Sequence, residues 1–427
     1  MTTEAPRDGA TPPRGFATEQ IHAGDIRDSA HGARVAPIHM SAGFAFDSVE
    51  QARERFAGEV DDGYVYTRYG NPTIAAVERK LAALEGGVDA IAVASGQAAV
   101  TVALLGLLQA GDHLLSARSI YEGSRGLFRD NFTRLGIEVS FVDDDADLDA
   151  WRAAIRPSTR ALFGESIPNP RNNLLDIAAI ADIAHERGVP LVIDSTLATP
   201  YLLRPIEYGA DVVVHSTSKF LAGHGASLGG VVIYGADALA DPVFARRTVA
   251  SRLGPTPSPL NTFLLQQGIE TLSLRMERHS SNAQQIAEWL EAQPEIVSVD
   301  YAGLPSHPQH DLAVRTLPRG AGSVFSFTFS AGFEAARIFI ESVELFTHMS
   351  HLGDVRSLIQ HPASTSHVQL TEEERVAAGI LPGTVRVSVG IEDVADLIRD
   401  LELAITAVRS AAPAVPDAAA PHAAFAS

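Results

Sequence analysis

Cysteine is absent from this sequence of 427 residues. Disulfides, thiolate metal sites and a cysteine nucleophile are therefore excluded, and the composition suits a reducing cytoplasm. Positive charge is scarce as well, with 33 Lys and Arg residues against 52 Asp and Glu residues and a formal net charge of -19. Because an acidic surface repels phosphate backbones and anionic lipids, we expect neither nucleic acid nor membranes among its partners.

Long apolar runs are also missing. The most apolar stretch, residues 98–110, is shorter than the ~20 residues of a membrane-spanning helix and is predicted to be a buried helix. The first 20 residues lack the apolar segment of a signal peptide. We therefore expect a soluble, cytoplasmic protein, and we place no metal site in it.

Residues 71 to 235 alternate between short apolar segments and amphipathic ones. Seven segments are predicted strands: DAIAVA, HLLSA, IEVSFV, RALFGE, PLVIDS, DVVVHS and GGVVIYG. Their nearly continuous apolar character is typical of parallel strands covered on both faces. The segments between them are predicted helices, as where isoleucine recurs every three residues from Ile177 to Ile183. This pattern predicts an α/β domain with a mostly parallel seven-stranded sheet.

The pattern changes after about residue 265. A long predicted helix over 272–292 precedes two segments, SVFSFTFS and TVRVSVGI, in which apolar and polar residues alternate strictly. Such alternation indicates half-covered, antiparallel strands, and so a smaller C-terminal α+β domain. The predicted divisions are 1–70 for an N-terminal arm, 71–265 for the α/β domain, 266–409 for the α+β domain and 410–427 for a disordered tail. Residues 1 to about 15 are also expected to be poorly ordered.

Polar residues directly follow three of the predicted strands, at Asp194, at Ser216, Ser218 and Lys219, and at Ser95, Gly96 and Gln97. Ligands of open α/β sheets bind at the carboxyl ends of strands. A lysine there can form an imine with an aldehyde, and a buried carboxylate can pair with a protonated pyridine. Hydroxyls and a helix N-terminus can hold a phosphate. Each feature alone has an ordinary structural explanation, as do His215 and His224, which we interpret as structural.

Several motifs, taken in order, resemble those of the Cys/Met-metabolism family of pyridoxal-phosphate enzymes. They are YVYTRYGNPT, LEGGVDAIAVASGQAA, ESIPNP, VIDSTLATPYLLRP, VVHSTSKFLAGHGASLGG and HPASTSH with VRVSVGIED. The resemblance extends from about Phe16 to Arg409. It implies the aspartate-aminotransferase-like fold type I and pyridoxal 5'-phosphate as cofactor. Within the family, LNTFLLQQGIETLSLRMERHSSNA and HPASTSHVQLTEEERVAAGI are most similar to the O-acetylhomoserine sulfhydrylases.

The resemblance implies a role for each residue that matches a family motif. Lys219 would hold the cofactor as a Schiff base and move protons, Asp194 would pair with the pyridine nitrogen, Tyr121 would stack on the ring, Asn169 would lie near the ring hydroxyl, and Arg386 would bind the substrate carboxylate. Ser95, Gly96, Gln97, Ser216 and Ser218 would cradle the phosphate. Tyr66 and Arg68, in the N-terminal arm, would reach the phosphate of a neighbouring subunit in a homotetramer built from two dimers. Tyr121 and Tyr66 would also assist proton transfer.

The implied reaction is γ-replacement on O-acetyl-L-homoserine by sulfide or a thiol, giving homocysteine and acetate. Two alternatives stay open: a γ-lyase that splits methionine or cystathionine, and a biosynthetic γ-substitution with another nucleophile. Gly123 stands where some methionine γ-lyases have a reactive cysteine, which counts against that form of the first alternative. A small amino acid is the expected partner in each case.

The sequence departs from the family pattern in four ways. Ser195 replaces an asparagine after the aspartate, Glu122 and Arg125 replace small and aromatic residues, and His351 stands where relatives have Ser or Asn. The connection after Gly235 is also shorter than in sulfhydrylases. We interpret His351 as a candidate substrate-binding residue.

Overall fold

The computed structural model describes residues 14–25, 31–60 and 63–411, with two β-sheets and helices packed around them. The strands are β1 Asp89–Val93, β2 His113–Ser116, β3 Glu138–Phe141, β4 Thr159–Glu165, β5 Leu191–Asp194, β6 Val212–His215, β7 Gly230–Tyr234, β8 Ile296–Asp300, β9 Val324–Phe329, β10 Thr347–His348, β11 Leu358–Gln360 and β12 Thr384–Ser388. The predicted tail lies outside these residues from 412 onwards, as does the N-terminal segment up to 13.

In the first half of the chain, helices alternate with strands. In the second half, helices form most of the connections between strands. They are α1 Phe16–His22, α2 Val49–Ala57, α3 Pro72–Glu85, α4 Gly96–Leu105, α5 Glu122–Gly126, α6 Leu148–Ala154, α7 Ile177–His185, α8 Thr199–Leu202, α9 Pro242–Phe244, α10 Ser251–Leu253, α11 Pro259–Ile269, α12 Leu272–Glu291, α13 His310–Thr316, α14 Phe333–Ser342, α15 Glu372–Ala377 and α16 Val394–Ala411. Short π-helical turns cover Leu127–Phe132 and Ala245–Ala250, and 3-10 turns cover Thr133–Leu135, Pro205–Tyr208 and Pro362–Ser364.

The first sheet contains the seven predicted strands in the order β1-β7-β6-β5-β4-β2-β3. Every pair is parallel except the two that involve β7, which runs antiparallel to both β1 and β6. Because β7 runs the opposite way, its first residue, Gly230, lies opposite Val93, the last residue of β1. The carboxyl ends of β1, β6, β5 and β4 therefore lie along one edge of the sheet. The prediction of a mostly parallel seven-stranded sheet is confirmed.

Apolar helix faces cover this sheet, as the sequence periodicity predicts. In α3 the apolar residues Ile74, Val77, Leu81 and Leu84, which recur every three or four positions, are all buried. Asn71 caps that helix by accepting the backbone N–H of Thr73 at 2.9 Å, which fixes where it begins. The predicted buried helix over 98–110 is shorter in the structure: residues 98–105 lie in α4, which is packed against the sheet, and the helix ends at Leu105. No helix in the described part of the chain is long and apolar enough to cross a membrane.

The second sheet has the order β10-β11-β12-β9-β8, and its β11–β12, β12–β9 and β9–β8 pairs are antiparallel. The antiparallel prediction for β9 and β12 is thus confirmed, but the prediction that one face is open is wrong. Both strands are buried at every position, polar ones included. One contact of the polar face with the first sheet is that of Arg386 with Asn169, in the loop after β4. The boundaries 71–265 and 266–409 separate the two sheets and stay a prediction.

Candidate active site

The strand ends along the shared edge bring two of the predicted polar segments into contact. Gly96 begins α4 directly after β1, and Ser216 follows β6. A Cβ atom built on Gly96 would lie 2.6 Å from the Cβ of Ser216, so only glycine allows this approach. Ser95 caps α4 by accepting the backbone N–H of Ala98 at 3.2 Å. The start of the helix, where the first N–H groups have no intrahelical partners, therefore lies beside the segment after β6.

Thr196 connects the segment after β6 to Asp194, and we did not single it out from the sequence. Its hydroxyl donates to Asp194 Oδ1 at 2.5 Å and accepts the backbone N–H of Ser216 at 2.8 Å. Its own backbone N–H donates to the same carboxylate oxygen at 2.9 Å. Burial raises the pKa of Asp194, and the Thr196 hydrogen bonds oppose that rise by stabilising the ionised form.

The predicted hydroxyls differ in what they contact. Ser218 donates to the carbonyl of Gly229 at 3.3 Å and accepts the Gly229 N–H at 3.0 Å, so it secures the loop that leads into β7. Ser195 is fully buried and its hydroxyl lies 3.1 Å from that of Ser166. These contacts agree with a structural role for Ser195.

Lys219 lies partly buried at the centre of the cluster, with its Nζ 3.1 Å from Nδ1 of His351. Burial, and the positive charge of Arg386, lower the pKa of Lys219 to about 8. An amine with that pKa is partly neutral near physiological pH and can attack an aldehyde, which an ordinary lysine rarely does. Lys219 is thus suited to the imine chemistry that the sequence predicts.

Arg386 extends the cluster into the second sheet. It is buried in β12, and it donates from Nη2 to the carbonyl of His351 at 2.8 Å and from Nη1 to Oδ1 of Asn169 at 3.4 Å. Its Nε has no hydrogen-bond partner among the described residues. Burial lowers its pKa to about 10, so it stays charged at neutral pH. A buried guanidinium with an unpaired donor suits a carboxylate ligand.

Glu165 is a second buried carboxyl group that the sequence analysis missed. It ends β4 in register with Asp194 on β5, and its Oε1 accepts the backbone N–H of Tyr121 at 2.6 Å. Burial and the charge of Asp194 raise its pKa well above the ordinary value for glutamate. The sequence could have indicated Glu165, because this residue ends an apolar strand just as Asp194 does.

Tyr121 is half exposed where it precedes α5, and its ring has close neighbours. A Cβ atom on Gly123 would lie 2.3 Å from the Tyr121 ring and 2.9 Å from Nε2 of Gln97. Gln97 also lies 3.4 Å from the Ser124 hydroxyl. Gly123, the position of a cysteine in some lyases, therefore accepts no side chain here unless the Tyr121 ring moves.

Tyr66 and Arg68 form a separate surface patch. The Arg68 guanidinium lies 4.5 Å from the centre of the Tyr69 ring and 5.7 Å from that of Tyr66, and it donates to the Ser251 carbonyl. Tyr66 is 44% exposed. The hydrogen bonds and ring contacts found for this pair among the described residues do not reach Lys219 or Ser216.

A groove of about 1300 Å³ leads from Asn169 along the boundary of the two sheets. Glu122 and Arg125, two of the departures, line it and form an ion pair at 3.1 Å. His367 lies on the same wall, and burial together with Arg125 and Arg386 lowers its pKa to about 4. These side chains border the route by which a ligand would reach Asn169.

The two histidines interpreted as structural have contacts that agree with that interpretation. His215 is fully buried and lies 3.0 Å from Oε2 of Glu85, which is fully buried too. His224 Nδ1 lies 2.7 Å from the carbonyl of Ala222.

The connection after Gly235 is held to the first domain by an arginine. Its Arg246 pairs with Glu78 and with Asp89, each at 3.0 Å.

The cluster combines four kinds of group. It has hydrogen-bond donors suited to a phosphate, the carboxylate of Asp194, the amine of Lys219 with its lowered pKa, and the buried guanidinium of Arg386. A sequence model of the family described as Cys/Met metabolism PLP-dependent enzyme matches residues 17–406. The chain belongs to this family. Its cofactor is accordingly pyridoxal phosphate, and the residues present fit that group: Gly96 lets the N-terminus of α4 lie against Ser216, so that backbone N–H groups and a hydroxyl come together, and Lys219 offers an amine to the aldehyde.

Two curated relatives show the range of activities in the family. The O-acetyl-L-homoserine sulfhydrylase of Corynebacterium glutamicum is 43% identical over 92% of this chain and 97% of its own length. The L-methionine gamma-lyase of Treponema denticola is 42% identical over 92% of this chain and 96% of its own length. The chain is therefore almost as similar in sequence to the relative named a gamma-lyase as to the one named a sulfhydrylase.

A solved structure supports the fold type and the cofactor. The Campylobacter jejuni protein designated an O-acetylhomoserine (thiol)-lyase has a TM-score of 0.88 and 36% identity, and the alignment covers 92% of this chain and 100% of that one. It contains a lysine that carries a pyridoxyl monophosphate. The prediction of pyridoxal-phosphate fold type I is confirmed.

Proposed function

We propose that this enzyme replaces the γ-substituent of O-acetyl-L-homoserine by sulfide or a thiol and releases acetate. The observation that carries the proposal is the contact chain from the activated amine of Lys219 through His351 to the buried guanidinium of Arg386. It gives an amino acid one group for its α-proton and another for its carboxylate. The similarity to O-acetyl-L-homoserine sulfhydrylases supports this choice of substrate.

Each residue of the cluster contributes one physical function to this reaction. Arg386 binds the substrate carboxylate with its unpaired Nε–H and an Nη2 hydrogen, which orients the α-carbon. Lys219, in its neutral form, removes the α-proton and returns it later. Asp194 would pair with the ring nitrogen of the cofactor and favour its protonated form, and Tyr121 would lie against the ring. Bound pyridoxal phosphate supplies the electron sink that stabilises negative charge at the α-carbon.

We assign the phosphate site to Gly96, Gln97 and Ser216. Because Gly96 has no side chain, the start of α4 lies against Ser216, which brings backbone N–H groups and the Ser216 hydroxyl together as donors for a phosphate. Ser95 and Ser218 hold the two loops in place by their hydrogen bonds to Ala98 and Gly229. Asn169, which accepts from Arg386, would lie next to the ring.

We further propose a homotetramer of two dimers in which Tyr66 and Arg68 complete the site of the neighbouring subunit. Their separation from the Lys219 cluster supports this arrangement, since a cationic patch that contacts its own Ser251 is available to a second copy. The cysteine-free composition supports a cytoplasmic location.

Elimination is the second candidate, because the relatives include L-methionine gamma-lyases of similar identity. The deciding experiment is product analysis with pyridoxal phosphate and O-acetyl-L-homoserine, with and without sulfide. Homocysteine that forms only with sulfide is the expected result. 2-Oxobutyrate and ammonia in both reactions would replace this proposal by a γ-lyase, and the same assay with L-methionine would name its substrate.

A further inference from the structure

His351 lies between the two groups that the proposed reaction uses. It belongs to the loop between β10 and β11, and its Nδ1 is 3.1 Å from Nζ of Lys219. Its backbone carbonyl accepts from Nη2 of Arg386 at 2.8 Å. Its second ring nitrogen, Nε2, is buried and has no hydrogen-bond partner among the described residues. Of the two ring nitrogens, Nδ1 (the engaged end) is thus in contact with Lys219, and Nε2 (the free end) has no partner among the described residues.

The contact with Lys219 fixes the proton positions on this ring. A lysine ammonium can only donate hydrogen bonds, so Nδ1 of His351 must be the acceptor whenever Lys219 is protonated. A neutral imidazole with a bare Nδ1 carries its hydrogen on Nε2. The free end is therefore an N–H donor, and a buried donor without an acceptor is costly unless a ligand supplies one.

The surrounding charges keep His351 neutral, as this arrangement requires. Burial lowers its pKa first, and the positive charges of Lys219, Arg386 and Arg356 lower it further, against the opposing charge of Asp354. The ring therefore remains an acceptor at the pH where Lys219 carries its proton. Lys219 itself faces burial and the charge of Arg386, both of which lower its own pKa.

An unpaired ring nitrogen alone does not distinguish this residue. His279 also has a buried Nε2 without a partner among the described residues, but its Nδ1 lies against the carbonyl of Val389 and its ring packs edge-on against Phe220. That histidine belongs to the core. His351 differs because its engaged end contacts a titratable amine.

We propose that His351 is a two-ended positioning residue: its Nδ1 holds Lys219 and stabilises the protonated form of the amine, and its Nε2–H donates to an oxygen of the amino-acid ligand. The inference rests on the proposed function only for the identity of that ligand. The oxygen belongs either to the α-carboxylate beside Arg386 or to the carbonyl of the acyl ester.

Two conservative substitutions separate the ends of the ring. The amide of His351→Asn reaches the position of Nδ1 but not that of Nε2, and the amide of His351→Gln reaches the position of Nε2. The full-length variants are freed of cofactor, and their rate of recombination with pyridoxal phosphate is followed by absorbance against pH. Imine formation requires the neutral amine, so the midpoint of this profile reports the pKa of Lys219.

The recombination profile tests the Lys219 end. We expect a midpoint near pH 8 for the unmodified chain, in line with the pKa of about 8 for Lys219. Loss of the acceptor in His351→Gln destabilises the ammonium and lowers the midpoint by about one pH unit, whereas His351→Asn shifts it by less than about half a unit. Identical profiles for all three proteins would overturn this half of the assignment.

Ligand binding to the holoenzymes tests the Nε2 end. The probes are N4-acetyl-L-2,4-diaminobutyrate (the oxo compound), in which an N–H group replaces the ester oxygen of O-acetyl-L-homoserine, and L-2-aminoheptanoate, which lacks the carbonyl. Each is titrated against the cofactor's absorption band. We expect His351→Asn to weaken binding of the oxo compound about tenfold, the effect of one lost hydrogen bond, while His351→Gln retains it.

The pair of probes also identifies the oxygen. An equal loss for both compounds assigns Nε2 to the carboxylate, and a loss for the oxo compound alone assigns it to the ester carbonyl. Equal behaviour of the Asn and Gln variants in both assays would overturn the proposal, since a ring that only fills space predicts no division between its ends. Neither assay requires sulfide or turnover, so failure here is distinct from failure of the proposed reaction.

Discussion

The carboxyl groups of Glu165 and Asp194 end neighbouring parallel strands in register, and the charge of Asp194 raises the pKa of Glu165. Two buried carboxylates side by side are unfavourable, so one of them retains a proton more readily than it would in water. Thr196 donates two hydrogen bonds to Asp194, which favours its ionised form. Glu165 is therefore the member of the pair whose pKa is raised further above the ordinary carboxyl value, and its Oε1 accepts the Tyr121 N–H.

The first prediction concerns the pH dependence of stability. The folded-state pKa of Glu165 is raised, so its contribution to the free energy of unfolding is present below the ordinary glutamate pKa and is lost as the pH rises towards the folded value. Glu165→Gln keeps the acceptor for Tyr121 and removes this loss. We expect the variant to gain stability relative to the unmodified chain as the pH rises, measured by urea unfolding between pH 5 and pH 8.

Glu165→Ala is the matched comparison for that experiment. It leaves the backbone N–H of Tyr121 without its acceptor, which costs about 1–3 kcal/mol at any pH. A Gln variant as unstable as the Ala variant would show that Glu165 acts as a carboxylate and not as a neutral acceptor.

Arg386 provides the second prediction. Arg386→Lys replaces a planar fork by a point charge, so the substrate carboxylate loses its bidentate contact. We expect kcat/KM for O-acetyl-L-homoserine to fall about a hundredfold, mainly through KM, because a paired charge-assisted contact contributes about 2–3 kcal/mol. Arg356→Lys, which changes an exposed arginine paired with Asp354, should leave both constants near their original values. Similar losses in the two variants would argue against a specific carboxylate site.

Gly96 provides the third prediction, on cofactor affinity. An alanine here would place its Cβ 2.6 Å from the Cβ of Ser216, so the start of α4 and the segment after β6, to which we assign the phosphate, could not keep their contact. We expect Gly96→Ala to weaken pyridoxal phosphate binding at least about tenfold, measured by equilibrium dialysis, since the loop has to shift. Gly15→Ala is the control, because a Cβ on Gly15 meets no atom within 4 Å. Unchanged affinity in Gly96→Ala would move the phosphate site elsewhere.

The sequence predicts those site residues that a local pattern marks, such as a polar residue at the end of an apolar strand, and not those brought together by distant contacts. Lys219 and Asp194 each follow an apolar strand, and the same rule applied to RALFGE would have found Glu165. The approach of Gly96 to Ser216 depends on β7 running antiparallel between β1 and β6. The contact of Lys219 with His351 joins residues 132 apart in sequence, and no local pattern records it.

The expectation that one face of the second sheet is open was incorrect for the same reason, since burial of that face depends on residues far away in sequence. Strict alternation in β9 and β12 predicts one apolar and one polar face, which is correct for the strands themselves. Exposure of the polar face, however, depends on what packs on it. At Arg386 that face meets Asn169, which lies in a loop of the first sheet, and Arg386 is buried.

The last prediction tests whether Arg68 acts in the neighbouring subunit. Lys219→Ala and Arg68→Ala should each be nearly inactive alone. If Arg68 completes the site of a partner, a dimer that contains one chain of each kind has one intact site, formed by Lys219 of one chain and Arg68 of the other. Random reassembly of equal amounts makes half of the dimers mixed, so activity should recover to about a quarter of the original level.

The control for that experiment mixes Lys219→Ala with Asp194→Ala. Both residues belong to the same cluster of one chain, so every site in a mixed dimer lacks one of them and activity should stay absent. Recovery in the first mixture but not in the second places Arg68 across the interface. Failure of both mixtures, with mixed dimers verified by affinity tags, would assign Arg68 to its own subunit, where its hydrogen bond to the Ser251 carbonyl already holds it.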